Sequence, residues 1–444
     1  MPPKTAQKVE NRSGVGEKTL RKARTIPIFD GCRERMKQFD IPTYYRSGFI
    51  TGLKRMRNAR DRMKTDLDPT VLNFGNVRIM LARHFGFCYG VENAIEISYR
   101  ALDENPGKRL FLLSQMIHNP HVNDDLQGRG IQFLMDTAGN RLMDWKTLTP
   151  DDVVIVPAFG TTLEIEAELA HLGVSLKQYN TTCPFVEKVW KRSARLGTDG
   201  YTIVIHGKHD HEETRATFSH AKEDAPAVVV RDMKEAQAFA KYVSGQSPAE
   251  DFYREFEGRF SDGFDVALHL QRIGVVNQTT MLATETQAIA DYLREVVQQR
   301  DGSADHFADT RDTLCYATND NQRATLALLE HNADLALVIG GFNSSNTSHI
   351  VELCEEKLPT YFIGSASDLT DQNRISHWNI HTHQLEETTN FLPAQRPLTI
   401  VVTSGASCPD SLVESVIARL LEMLHAEVPI EEAVEQARQH WEAS

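Results

Sequence analysis

The chain has 444 residues, enough for about three domains of ordinary size. Its hydrophobic share of 41% is normal for a soluble globular protein, and no apolar run approaches the about 18 residues of a membrane span, so transmembrane and collagen-like classes are excluded. The net charge of −13 is unevenly placed: residues 1–66 carry 17 basic and 7 acidic side chains, leaving an acidic body that does not suit duplex DNA.

Residues 1–75 read as a basic N-terminal extension. Its helix-compatible stretches, KTLRKARTI and GLKRMRNARDRMK, hold few apolar positions, so it is expected to wrap the body without a core of its own. Such an arm is either simply solvated or docks on its own body, on an acidic partner or on RNA. The start, MPPKTAQKVENRSGVGEK, has no apolar signal-peptide core, and its acids Glu10 and Glu17 are atypical of transit peptides. The six cysteines, at 32, 88, 183, 315, 354 and 408, include no CxxC and point to a reducing compartment. The expected location is cytoplasmic, with a plastid-type organelle as the alternative.

Beyond the extension, short apolar runs alternate with amphipathic helices, an α/β pattern. The runs are VRIMLA (77–82), DVVIVPA (152–158), YTIVIHG (201–207), ALVIGG (336–341) and LTIVVTSG (398–405). Thr161 and Glu164 form a capping-box pattern after the second run, and Gly173 fits that helix's end. The stretch 243–265 is polar and acidic and reads as an insertion rather than a core element. Leu412, Val413, Val416, Ile417, Leu420, Leu421 and Leu424 recur at three and four, one face of a helix laid on a sheet.

Ligands of open α/β sheets bind at the carboxyl ends of strands, where helix N-termini offer free N–H groups. Three loops at such places carry a cysteine: HFGFCYG (84–90) with Cys88, NTTCP (180–184) with Cys183 and DTLCYAT (312–318) with Cys315. Glycines 86 and 90 allow a tight turn around Cys88, Pro184 suits a first helical position, and a helix N-terminus lowers a thiol pKa. These thiols either converge on a metal centre, serve as one nucleophile with a distant His and acid, or are ordinary core cysteines. Cys32, Cys354 and Cys408 lack such loops and read as structural. GFNSSNTS (341–348) and TSGAS (403–407) offer hydroxyls, amides and helix-start N–H groups to an anion, or act as plain helix caps. In HGKHDHEE (206–213), His211 and Glu213 are placed to face a common ligand; the spacing fits a proton-handling loop better than a metal motif.

Together these segments resemble the 4-hydroxy-3-methylbut-2-enyl diphosphate reductase family over about residues 73–425. The resemblance rests on GFCYGVENAI, IHNPHVND, NTTCPFVEKVW, HGKHDHEET, NQTTM, CYATNDNQ, GGFNSSNTSH and TSGASCPD, in family order. Their wording is most similar to the plant and cyanobacterial branch, which also has an N-terminal extension. The resemblance implies three α/β domains in a pseudo-threefold arrangement around a central 4Fe-4S iron-sulfur cluster: 76–182 with Cys88, 183–314 with Cys183 and the insertion, and 315–444 with Cys315. Cys88, Cys183 and Cys315 would hold the cluster, leaving one iron open. Glu213 would pass a proton to the leaving hydroxyl, with Thr279 orienting that oxygen. His118, His211, Ser344, Ser345, Asn346 and Ser407 would bind the diphosphate. The implied reaction is reductive dehydroxylation to isopentenyl and dimethylallyl diphosphates plus water, the last step of the non-mevalonate pathway.

Many bacterial members read AHG where this chain has Ala158-Phe159-Gly160, so a diphosphate-binding His is absent and Lys208 or His209 is the expected substitute. No GxGxxG motif is present, which points to a separate ferredoxin or flavodoxin as electron donor, with neither a membrane nor a nucleic acid as expected partner. The rival reading is a non-redox protein of this fold, either a thiol hydrolase or an iron-sulfur sensor whose basic arm binds RNA.

Overall fold

Uninterrupted Val, Ile and Leu runs favour strands buried under helices, and all five expected runs are strands: Val77–Leu81, Val153–Ile155, Thr202–His206, Leu335–Ile339 and Leu398–Ser404. The computed structural model describes residues 39–308, 313–370 and 373–443. The first 38 residues of the expected extension, Cys32 among them, and Asp312 lie outside the described residues.

The strands divide among three largely parallel sheets. The largest has the order Thr70–Asn73, Val77–Leu81, Leu398–Ser404, Leu335–Ile339, Thr360–Ile363; only its edge strand Thr70–Asn73 is antiparallel. A second has the order Gln132–Phe133, Leu110–Leu112, Val153–Ile155. The third runs Ala227–Val230, Thr202–His206, Ile273–Asn277, Phe307–Ala308. A small antiparallel sheet, Leu369–Thr370 with Arg374–Asn379 and Gln384–Thr389, escaped the sequence reading because its last strand, QLEETT, is exposed at nearly every position.

Sheet membership does not follow the chain segments in simple order. Val77 lies opposite Leu398 and Leu81 opposite Val402, so the start of the 76–182 segment is built into the sheet of the 315–444 segment. The helix that follows, Tyr89–Glu104, turns away and buries Val91, Ala94 and Ile95 with the second sheet's Leu110, Leu112 and Ile155. Cys88 stands at that crossing.

Residues 39–75 are more integrated than a solvated arm. Ser47 caps helix Gly48–Arg60, its Oγ accepting from Ile50 N at 2.8 Å, and Ile50 and Leu53 enter the core of the five-stranded sheet.

The stretch 243–265 corrects the expectation of a non-core insertion. Phe252, Phe256, Phe260 and Phe264 recur every fourth residue; Phe252 is fully buried, with ring centroids 5.1 Å from Phe256 and 5.2 Å from Phe264. The acids of this stretch dominate its composition and hide one apolar stripe. A smaller correction concerns helix Leu163–His171, which is capped by Thr162 rather than Thr161: Thr162 Oγ1 accepts from Ile165 N at 3.3 Å. Gly173 follows its end at φ +80°, as expected. The last sheet helix, Asp410–Met423, buries Val413, Val416, Ile417, Leu420 and Leu421. No helix among the described residues is long and apolar enough to cross a membrane.

Candidate active site

Each loop cysteine is the residue just before a helix: Cys88 before Tyr89–Glu104, Cys183 before Pro184–Thr198 and Cys315 before Tyr316–Leu328. Backbone hydrogen bonds pin each to a loop from elsewhere in the chain. Cys88 N donates to Ala406 O at 3.2 Å, Cys183 N to Ala158 O at 2.9 Å, and Cys315 N to Thr279 O at 3.2 Å. All three line one cavity. A Cβ at Gly90 would lie 2.7 Å from Cys183 Sγ and 3.9 Å from Cys88 Sγ, so a residue without a side chain is what lets both sulfurs reach the helix start.

The cavity they share with other side chains has a volume of about 90 Å³, several times what one water needs. Among the described residues, no three His, Cys, Asp or Glu side chains form a site for a single metal ion. Helix N-termini lower thiol pKa values, yet burial wins here. Cys88 is pushed up to about 12 by burial and then by Cys315, Cys183 to about 11 by burial, and Cys315 upward by burial.

The other expected site residues, His118, His211, Glu213, Thr279, Ser344, Ser345, Asn346 and Ser407, line the same cavity. Glu213 is in the first turn of helix Glu212–Asp224 and is 1% exposed. Its Oε1 accepts from Thr279 N and its Oε2 from Thr279 Oγ1 at 3.0 Å. Those bonds favour the carboxylate, but burial outweighs them and lifts Glu213 to about 7. His211 caps the same helix: its Nδ1 accepts from Glu213 N at 3.1 Å. The proton of the neutral ring therefore sits on Nε2, which is buried without a hydrogen-bond partner among the described residues. Burial, then the neighbouring His118, hold this imidazole well below its usual pKa.

The anion loops meet the His118 loop backbone to backbone. A Cβ at Gly341 would fall 2.3 Å from His118 O, while Ser407 Oγ donates to that oxygen at 3.2 Å and Asn119 Nδ2 to Ser407 O at 2.8 Å. Ser344 caps helix Ser345–Glu355, and Asn346 Oδ1 accepts from Ala406 N at 3.0 Å. The positive end of that helix thus faces the cavity beside His118 and His211.

Phe159 also lines the cavity, its ring centroid 4.2 Å from that of His118. Neither Lys208 nor His209 lines it, and His209 is exposed, while the charge of Lys208 reaches His211 and helps hold its pKa down.

Three neighbours escaped the sequence reading. Glu212 Oε2 is 3.0 Å from His118 Nε2, both groups being buried. Thr318 Oγ1 is 3.0 Å from Cys315 Sγ and accepts from Asn346 Nδ2 at 3.4 Å. Gln278 Nε2 donates to Ser345 Oγ at 3.3 Å while its Oε1 accepts from Thr214 Oγ1 at 3.0 Å. Each lies inside a quoted motif, one to three residues from a named site residue; for Glu212 and Thr318 the helix start was the available signal, whereas Gln278 follows a strand end.

Parallel α/β sheets meeting at a cavity with three thiols, a buried acid and an anion-ready wall define a three-thiol α/β protein. The chain belongs to the LytB protein family, whose family model matches residues 79–421. It is 40% identical over 356 residues to the 4-hydroxy-3-methylbut-2-enyl diphosphate reductase of a Synechococcus species, covering 79% of this chain and 87% of that protein. To the protein of the same name from Gloeobacter violaceus it is 38% identical over 396 residues, covering 86% and 92%. Both relatives are cyanobacterial, the branch the motif wording indicates. The solved structure of the E-1-hydroxy-2-methyl-but-2-enyl-4-diphosphate reductase from Plasmodium falciparum shares the fold, with a TM-score of 0.58 at 19% identity, covering 80% of this chain and 91% of that one.

Proposed function

We propose that this chain reduces 4-hydroxy-3-methylbut-2-enyl diphosphate to isopentenyl and dimethylallyl diphosphates plus water, closing the non-mevalonate pathway. The observation that carries the reading is the single cavity shared by Cys88, Cys183 and Cys315 with Glu213 and the imidazole and hydroxyl wall. The LytB family relatives imply an iron-sulfur cofactor. The donor set suits one: burial holds all three thiols above their usual pKa and Cys315 adds to the rise at Cys88 and Cys183, a penalty that a polynuclear cation bound by their thiolates would remove. The assigned cofactor is a 4Fe-4S cluster on these three cysteines. When bound, it supplies electrons one at a time and one Lewis-acidic iron without a protein ligand.

The protein's own groups do the rest. His118 and His211, with Ser344, Ser345, Asn346 and Ser407, hold the diphosphate near a helix N-terminus, and the unpartnered Nε2–H of His211 gains its acceptor there. Thr279 Oγ1 orients the leaving hydroxyl and is itself held by Glu213. Glu213, poised near neutrality, gives that hydroxyl a proton as the C–O bond breaks. The balance is one substrate, two electrons and two protons to one product and one water. The electrons come from a separate ferredoxin or flavodoxin. The free thiols at every described cysteine suit a reducing compartment, cytoplasmic or plastid-type.

Anaerobic reconstitution followed by iron and sulfide analysis tests the reading, together with substrate-dependent oxidation of the reduced protein. Near-stoichiometric cluster and re-oxidation by the diphosphate are expected. Iron-free protein, or a reduced cluster indifferent to substrate, would sink it.

A further inference from the structure

Three thiols that line one cavity need not share one environment. Cys88 and Cys183 each precede a helix without capping it through the side chain. Cys315 does cap its helix, its Sγ accepting from Thr318 N at 3.3 Å, and Thr318 Oγ1 lies 3.0 Å from the same sulfur. Burial raises the Cys315 thiol, and the two Thr318 groups, hydroxyl before amide, pull against that rise.

The direction of the hydroxyl bond follows from its other partner. Asn346 Nδ2 can only donate, so Thr318 Oγ1 accepts there, at 3.4 Å, and keeps its single proton for another acceptor. A metal-bound thiolate is such an acceptor and carries no proton of its own. Asn346 is itself held: its Oδ1 accepts from Ala406 N at 3.0 Å, and Ala406 O in turn accepts from Cys88 N at 3.2 Å. One amide side chain thus fixes both the donor beside Cys315 and the peptide that anchors Cys88. Thr318 is fully buried and Asn346 is 3% exposed, surroundings in which such bonds are stronger than in water.

We propose that Thr318 is a positioning residue for the redox centre: its hydroxyl, aimed by Asn346, donates to the Cys315 sulfur and raises the centre's reduction potential. The inference rests on the reductase reading and adds what sets the ease with which an electron is taken up. A donor beside a ligand sulfur stabilises the state with the extra negative charge, and hydrogen bonds to the sulfurs help to set iron-sulfur potentials. No bond breaks in this role; one electron enters the centre and the hydroxyl proton stays on Thr318.

The experiment is an anaerobic redox titration of the reconstituted full-length protein, without substrate, followed by the electron paramagnetic resonance of the reduced centre. Thr318→Val loses the hydroxyl and keeps the backbone N–H. At a fixed poise near the wild-type midpoint its reduced-to-oxidised ratio should be about tenfold lower, which is about 59 mV for a one-electron couple. Thr318→Ser, which keeps the hydroxyl, should stay within twofold of wild type. Iron and sulfide content should be the same in all three, because the thiols are untouched. Thr318→Ala repeats the comparison should the valine variant not fold. A ratio within twofold of wild type in the hydroxyl-free variants would overturn the proposal, and so would an equal drop in Thr318→Ser. A wild-type centre that is reduced but not re-oxidised by the diphosphate substrate would overturn the reductase reading alone, since the titration contains no substrate. Wild-type protein that takes up no iron would overturn both.

Discussion

His118 and Glu212 form a buried pair, Nε2 to Oε2 at 3.0 Å, and Ser114 Oγ donates to the other carboxylate oxygen. The carboxylate fixes the ring and leaves Nδ1 as the nitrogen available to a ligand, much as outer partners orient metal-bound histidines. Glu212→Ala should therefore raise KM for the diphosphate substrate by about 10- to 100-fold with a smaller effect on kcat. Glu212→Gln, which keeps one acceptor for His118, should recover part of the loss. His209→Ala is the exposed control. Steady-state kinetics that leave KM unchanged in Glu212→Ala would refute the positioning role.

Glu213 titrates near 7 because it is buried, against about 4.5 when free. On the proposed mechanism its neutral form is the proton donor, so kcat should fall as pH rises through about 7. The linked stability has the same sign: the fold favours the protonated group, a contribution complete below the free value and lost as pH rises through 7. Glu213→Gln cannot donate and should lose turnover by about 100-fold or more while retaining its iron. A pH profile flat from 6 to 9 in the wild type would contradict this assignment.

Cys88→Ser, Cys183→Ser and Cys315→Ser should each bind far less iron after reconstitution. Cys354→Ala and Cys408→Ala should retain it, because both are fully buried in the core of the five-stranded sheet. Full iron content in any of the first three variants would remove that residue from the ligand set.

Phe252 is fully buried among Phe239, Phe256 and Phe264 at a distance from the thiols in sequence and sheet. Phe252→Ala should cost about 3–5 kcal/mol of stability, read as a lowered denaturant midpoint. A shift near zero would mean that the 243–265 stretch is peripheral after all.

Five of the parallel strands were legible because each lies in a short, largely apolar run, and the cysteines because each directly precedes a helix. Other features depend on tertiary placement. Strand Gln384–Thr389 has no apolar periodicity and is held by pairing with Arg374–Asn379. The phenylalanines at 252, 256, 260 and 264 do show a period, masked by the acids around them. Glu212 looks like one more surface acid of a helix start until the fold brings His118 to it. Lys208 and His209 were attractive for their charge and nearness to His211 in the chain, yet neither lines the cavity and only the charge of Lys208 reaches His211.

The pairing of Val77–Leu81 with Leu398–Ser404 sets an order of events during biosynthesis. The strand leading to the first cysteine emerges early from the ribosome, but its central neighbour is made about 320 residues later. A nascent chain therefore cannot complete the sheet that supports Cys88 until nearly the whole polypeptide has been made. Trimming the distal end back through that late strand would remove the support of the earliest of the three cysteine loops, the one farthest away in the gene.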